Sequence, residues 1–153
     1  MTDLRPMETP STVPLASRVV LWLYIVFNVA IAVSLMRNPT AVDATYRGGA
    51  MTATRQFLWF SVGSFHLLVV GVTLATLRMK HAADRRWLYL ANAAFYLWDA
   101  LTEWGYWGAR LGVASTELHR NAGISAACGL LLVWAAYLDR QASTCLHRTE
   151  PAS

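Results

Sequence analysis

Four apolar runs divide the chain, at residues 19–36, 57–77, 87–108 and 118–138. Each is about 18–22 residues long, and at a helical rise of roughly 1.5 Å per residue each reaches across a hydrocarbon layer of about 30 Å. The first is apolar apart from Asn28 and Ser34, and Arg18 and Arg37 bracket it. The second lies between Arg55 and Arg78, with His66 as its one ionisable side chain. The third carries Asp99 and Glu103, and the fourth has no charge between Arg120 and Asp139. The fold expected is all-α, a four-transmembrane-helix bundle.

Composition decides against the soluble alternative. Hydrophobic residues make up 56% of the chain and charged residues 14%, against roughly 25% charged in an ordinary soluble domain. A soluble four-helix bundle needs a polar face on every helix, and the first, second and fourth runs show almost none. The first run is longer than a signal-peptide core of about 7–15 residues and follows a polar leader, so it reads as an uncleaved helix. Residues 1–17 are expected to be a mobile tail, 18–140 the membrane domain, and 141–153 a second mobile tail.

Basic residues set the orientation. With four spans, both tails and the loop RMKHAADRR share one side, which carries Arg5, Arg18, Arg78, Lys80, Arg85, Arg86, Arg140 and Arg148. The other side carries Arg37, Arg47, Arg55, Arg110 and Arg120. The richer side faces the cytoplasm, so both termini are expected there. These flanking arginines account for the net charge of +4, and no nucleic-acid partner is implied. Arginine far outnumbers lysine and alanine is abundant, a composition that suggests a GC-rich bacterium and hence its cytoplasmic membrane. Cys128 falls inside the fourth run and Cys145 in the C-terminal tail, which argues against a disulfide. The chain contains no P-loop, dinucleotide fingerprint or nucleophile elbow.

The third run poses the functional question. Asn92, Tyr96, Asp99, Glu103 and Tyr106 recur at steps of four, three, four and three, placing them on one helical stripe. Each acid would cost about 2.5–3.5 kcal/mol at the centre of a lipid-facing helix, so the stripe must face protein or water. Partners exist on the other runs: Tyr24 and Asn28 one turn apart, His66 on the same side as Gly63 and Thr73, and His119 in the first turn of the fourth helix behind Thr116 as N-cap. Ala122, Gly123, Ala126 and Gly129 form a small-residue face suited to close helix contact. Counting along the helices from the outer surface puts Asp99 roughly 13 Å deep, Glu103 roughly 7 Å and His66 roughly 14 Å, with Asn28 near mid-membrane and His119 at the rim. That order describes a funnel open to the outer side.

Two carboxylates one turn apart in such a site are expected to share one proton and titrate as a unit. A proton donor beside an acceptor, among aromatic rings, suits isomerisation or cyclisation of a lipophilic small molecule. Asp99 is assigned as general acid, Glu103 as base or neighbour, and His66 as orienting or relay group. Tyr24, Asn28, Asn92, Tyr96, Trp98, Tyr106 and His119 are candidate substrate contacts, Trp98 on either the pocket wall or the lipid face. The other reading is a non-catalytic accessory subunit whose helix faces bind a lipid, a second copy or a partner membrane subunit. No cofactor or metal is implied, since the histidines differ in depth by about 10 Å and no compact ligand spacing occurs. Gly48 and Gly49, beside Arg47, mark a turn in a linker or a lid.

WDALTEWG, a short loop, and ELHRNAG ahead of small and apolar residues together resemble the small bacterial four-helix membrane proteins of the DoxX-like group. In that group an acid late in the third helix and a histidine opening the fourth recur; Asp99 and His119 hold those places here. The resemblance implies a four-helix membrane bundle and no settled reaction. Glu103 and the density of tryptophan have no counterpart in the pattern.

Overall fold

The computed structural model describes residues 11–46, 50–107 and 115–148, and all regular structure among them is helical. Helix α1 spans Leu15–Arg37, α2 Pro39–Tyr46, α3 Ala53–Arg78, α4 Ala82–Leu101 and α5 Ser115–Arg148. A π-helical segment, Thr102–Trp107, continues α4 without a break. Local chemistry explains the boundaries. Asn38 closes α1 through its N–H to Ser34 O at 3.0 Å, and its side chain caps α2 by accepting from Ala41 N at 3.3 Å. Pro39 then takes the first helical position, where its missing N–H costs nothing. Thr52 caps α3, its hydroxyl accepting from Arg55 N at 3.2 Å.

Three of these helices are long and apolar enough to cross a membrane: α1, α3 and the Leu118–Thr144 part of α5. Three of the four expected spans therefore meet that criterion. Helix α4 does not, because Asp84, Arg85 and Arg86 open it and its polar stripe follows. Elsewhere the structure departs from expectation at its margins. The first connection contains α2 rather than linker alone. In the N-terminal stretch Val13 and Ser17 are buried, and Ser11 N donates to Lys80 O at 2.9 Å. At the other end, helix continues past residue 140 to Arg148. Helix α5 begins at Ser115, so Thr116 lies inside the helix rather than capping it.

Helix α4 lies along α5 and α1 along α3, and the two pairs meet chiefly through α1 and α5. Glycine lets each pair close. A Cβ at Gly129 would lie 2.7 Å from Leu97 Cγ and 3.2 Å from Ala93 O, and one at Gly63 would lie 2.9 Å from Met36 Cγ and 3.3 Å from Ala32 O. Gly123, grouped with Gly129 on sequence grounds, faces open space. Between the pairs, Ser17 Oγ donates to Ala135 O at 3.0 Å. The core is aromatic and small together: Leu21, Tyr24, Tyr89, Ala93, Tyr96, Leu132 and Ala135 pack in one cluster.

Polarity is distributed inside out. Leu23, Phe57, Leu68 and Leu130 are 66%, 68%, 61% and 62% exposed, whereas Asn28, Thr73 and Arg85 are fully buried and Asp139 nearly so. A water-soluble domain buries the first kind and exposes the second.

Arg85 and Asp139 tie one end of the bundle. Arg85 Nε donates to Asp139 Oδ2 and Nη2 to Oδ1, both at 2.8 Å. Its other donors reach Ser11 O at 2.7 Å, Met79 O at 2.8 Å and Ser11 Oγ at 2.9 Å. All five guanidinium N–H groups are thus satisfied. Removing one partner of a buried ion pair leaves an uncompensated charge, which costs about 3–5 kcal/mol. Asp139→Ala is accordingly expected to lower the thermal unfolding midpoint in detergent sharply, and Arg85→Met combined with Asp139→Leu to recover part of the loss. An unchanged midpoint for Asp139→Ala would show that the pair does not hold this end together.

Candidate functional site

Helix α1 contributes Asn28 to the interior, α3 His66 and α4 Tyr96, and the three side chains meet at one atom. Asn28 Nδ2 donates to Tyr24 O at 2.8 Å, the carbonyl one turn back, which fixes which way the amide points. Its Oδ1 therefore faces the other helices. There it accepts from Tyr96 Oη at 2.5 Å and from His66 Nδ1 at 2.7 Å. A carbonyl acceptor requires the His66 proton to sit on Nδ1, leaving Nε2 as an acceptor. Tyr24 packs edge-on against Tyr96 with ring centroids 5.1 Å apart, and its hydroxyl is buried without a hydrogen-bond partner among the described residues.

Beside this node opens a cavity of about 1090 Å³. Asp99, Glu103, His66 and Tyr96 all line it, with Phe65 and Phe95 as aromatic walls, their ring centroids 4.9 Å apart. Asp99 Oδ2 accepts from Ser125 Oγ on α5 at 2.8 Å. Glu103 sits in the π-helical segment, and its Oε2 is buried with no hydrogen-bond partner among the described residues. The shift from α to π winding occurs between the two acids. Thr102 stabilises that junction by donating from Oγ1 to Asp99 O at 2.9 Å. Single π turns inside helices recur at functional sites, since they re-aim one side chain without ending the helix.

The cavity runs from these acids towards the end of the bundle formed by α2 and the start of α3. There Asp43, buried on α2, holds Arg55 and Trp59 of α3. Asp43 Oδ1 accepts from Arg55 Nε at 3.1 Å and from Trp59 Nε1 at 2.8 Å, and Oδ2 takes Arg55 Nη2 in a direct ion pair. Arg55 also donates to Ala50 O at 3.1 Å. All three side chains line the cavity, as does Arg120 from α5. Arg55 to His66 is eleven residues along α3, roughly 16 Å of helix, so the cavity is a deep cleft with a charged mouth and a polar floor.

Of the residues expected at a site, Asp99, Glu103, His66 and Tyr96 are brought together around the cavity, and Asn28 supports them through His66 and Tyr96. Tyr24 stands behind Tyr96 rather than on the wall. Asn92 is buried in α4 away from the lining. Trp98 is 68% exposed on the outer face of α4, which decides between its two expected placements in favour of the outside. His119 is exposed and lies against Trp104 with ring centroids 5.7 Å apart, off the lining. The Tyr106 side chain and Arg47 with its Gly-Gly turn lie outside the described residues, as does the Cys145 side chain. Sequence reasoning missed Asp43, Arg55, Trp59 and Ser125. The signal for the first three was Asn38-Pro39, a helix start that places Asp43 in a short helix ahead of α3. Ser125 read as one small residue among several, and only its partner reveals its hydroxyl.

Among the described residues no three His, Cys, Asp or Glu side chains gather as a metal-ligand group. No protein-family model, curated protein or solved structure matches this chain.

The amide of Asn28 dictates the histidine tautomer. Imidazole ¹⁵N NMR on protein labelled at histidine is expected to show His66 carrying its proton on Nδ1. A His66 ring protonated at Nε2 alone would contradict the hydrogen bond to Asn28.

Proposed function

We propose that this chain is an integral membrane protein of four transmembrane helices, with α4 and its π-helical extension as the third span and both termini in the cytoplasm of a bacterial cell. Its cavity, on this reading, carries out acid/base isomerisation or cyclisation of a lipophilic small molecule. Several features support the topology. Trp87, Leu90, Trp98 and Leu101 make the outward face of α4 as apolar as the outer faces of its neighbours, while Tyr89, Asn92 and Tyr96 turn inward. Arg18, Arg78, Lys80, Arg86 and Arg140 collect at the end where α1 and α4 begin and α3 ends, as the excess of basic residues on cytoplasmic loops requires. Kinship with the DoxX-like group belongs to the same proposal and extends to architecture alone.

The observation that carries the chemical reading is Glu103 Oε2, buried with no hydrogen-bond partner among the described residues, on a side chain that lines the cavity with Asp99 and His66. A buried carboxyl oxygen with no protein partner is a costly feature unless a ligand completes it. Asp99, which also lines the cavity, already spends one oxygen on Ser125. We therefore assign proton donation to Glu103 and proton return to Asp99, exchanging the two roles expected from spacing alone, with His66 Nε2 as relay. One proton enters an alkene, epoxide or enol and one leaves a neighbouring carbon or hydroxyl. The balance needs no redox partner, and the faces of Tyr96, Phe65 and Phe95 steady a transient cation.

A second reading has one observation in its favour. Asp99 and His66 each have a protein partner, in Ser125 and Asn28, which is how polar side chains join helices without chemistry. In that case the cavity holds a lipid or a segment of a partner membrane subunit.

Deuterium exchange separates the two. Protein purified in mild detergent, mixed with the apolar extract of its own membranes in D₂O, is expected to place deuterium on one extracted compound. Glu103→Gln and Asp99→Asn are each expected to slow this by at least about 100-fold, and Trp98→Phe to leave it unchanged. Absence of incorporation with wild-type protein would favour the accessory role; full activity in either acid variant would remove that acid from the mechanism.

A further inference from the structure

A second concavity lies at the opposite end of the bundle, about 340 Å³ in volume, between residues 11–13, the first two turns of α1 and the end of α3. Its walls are fixed by the backbone. Ser11 N bonds to Lys80 O at 2.9 Å, which folds the N-terminal stretch against the connection between α3 and α4, and Arg85 holds Ser11 and Met79 from beneath. Three cationic side chains line it, Arg18, Arg78 and Lys80, and among the described residues no acidic side chain does. Arg18 is held at the rim by donating from Nη2 to Val13 O at 3.3 Å. The remaining lining combines Ser11 and Thr12 with the apolar Val13, Leu77 and Met79 and the half-exposed Trp22.

From Trp22 an apolar track leads away along α1. Val19, Trp22, Val26, Val29 and Val33 follow at steps of three and four, so they form one stripe, and all five are exposed. A ligand that fits both parts has an anionic head group for the three cations and a hydrocarbon chain for the stripe. We infer that this groove is a binding site for an anionic phospholipid of the leaflet on the basic side of the protein, the phosphate held by Arg18, Arg78 and Lys80 and an acyl chain lying along α1. Arginine and lysine gathered at a membrane face bind such head groups, and a tryptophan at head-group depth packs on the glycerol region. The inference rests on the membrane placement proposed above and is independent of any chemistry at Asp99 and Glu103.

Native mass spectrometry of the detergent-solubilised chain tests it, with dioleoylphosphatidylglycerol, dioleoylphosphatidylcholine and inorganic phosphate as separate probes. The expected result is retention of phosphatidylglycerol in preference to phosphatidylcholine, weakened on the order of 20-fold by Arg18→Gln combined with Arg78→Gln. Arg37→Gln, at the other end of α1, is expected to leave retention unchanged. Equal retention of the two lipids, or undiminished retention by the double variant, would overturn the site. Inorganic phosphate displacing phosphatidylglycerol at equal concentration would also overturn the assignment to a lipid. A chain that stays monodisperse without detergent would instead refute the membrane placement itself, a result distinguishable from loss of this one site.

Discussion

A single oxygen, Asn28 Oδ1, receives hydrogen bonds from Tyr96 on α4 and His66 on α3, while the same amide's nitrogen is tied to its own helix at Tyr24 O. Three of the four long helices are joined there, and Asn28 and Tyr96 are buried. Each donor left unpaired in such a place costs about 1–3 kcal/mol, so the arrangement is specified as a whole. Because the amide cannot flip without losing Tyr24 O, it also specifies the state of its partners. The floor of the cavity inherits a phenol and an imidazole of fixed orientation, and the acids of α4 open beside them.

The rest of the interior is organised around that node as two ionic anchors at opposite ends. Arg85 and Asp139 bind α4 to the far part of α5 and draw in Ser11 and Met79; Asp43 and Arg55, with Trp59, bind α2 to α3. Between them the α4 to α5 and α1 to α3 contacts close at Gly129 and Gly63, where no side chain intervenes. The consequence is an uneven bundle. Two tight pairs leave a cleft where α3, the end of α4 and the start of α5 diverge, and Glu103, whose Oε2 has no hydrogen-bond partner among the described residues, lines that cleft.

Much of this was legible in the sequence because lipid and water impose opposite preferences. Runs of apolar residues gave the helices, and the 3.6-residue period put Asp99, Glu103 and Tyr96 on one inward stripe with Asn28 and His66 opposite. Period alone left some placements open. Trp98 neighbours Asp99 in sequence and is exposed on the outer face, and the π turn after Leu101 is a change of winding that α-helical spacing does not anticipate. Arg85 looked like a loop cation marking orientation; its five-donor network depends on Asp139, 54 positions away, and on Ser11. Asp43 was passed over in a connecting segment, since pairing of a loop acid with a flanking arginine is a tertiary fact. Length of the third run was likewise an incomplete guide, because the polar stripe that makes α4 interesting also lowers its hydropathy.

Whether the three helices truly meet at Asn28 can be measured as an energy. A double-mutant cycle with Asn28→Leu and His66→Leu, followed by reversible unfolding in detergent, reads the coupling between α1 and α3 directly. A hydrogen bond as positioned here predicts a coupling of about 1–2 kcal/mol. Effects that add to within about 0.3–0.5 kcal/mol, as they do for residues that do not touch, would contradict the node and with it the shared floor of the cavity.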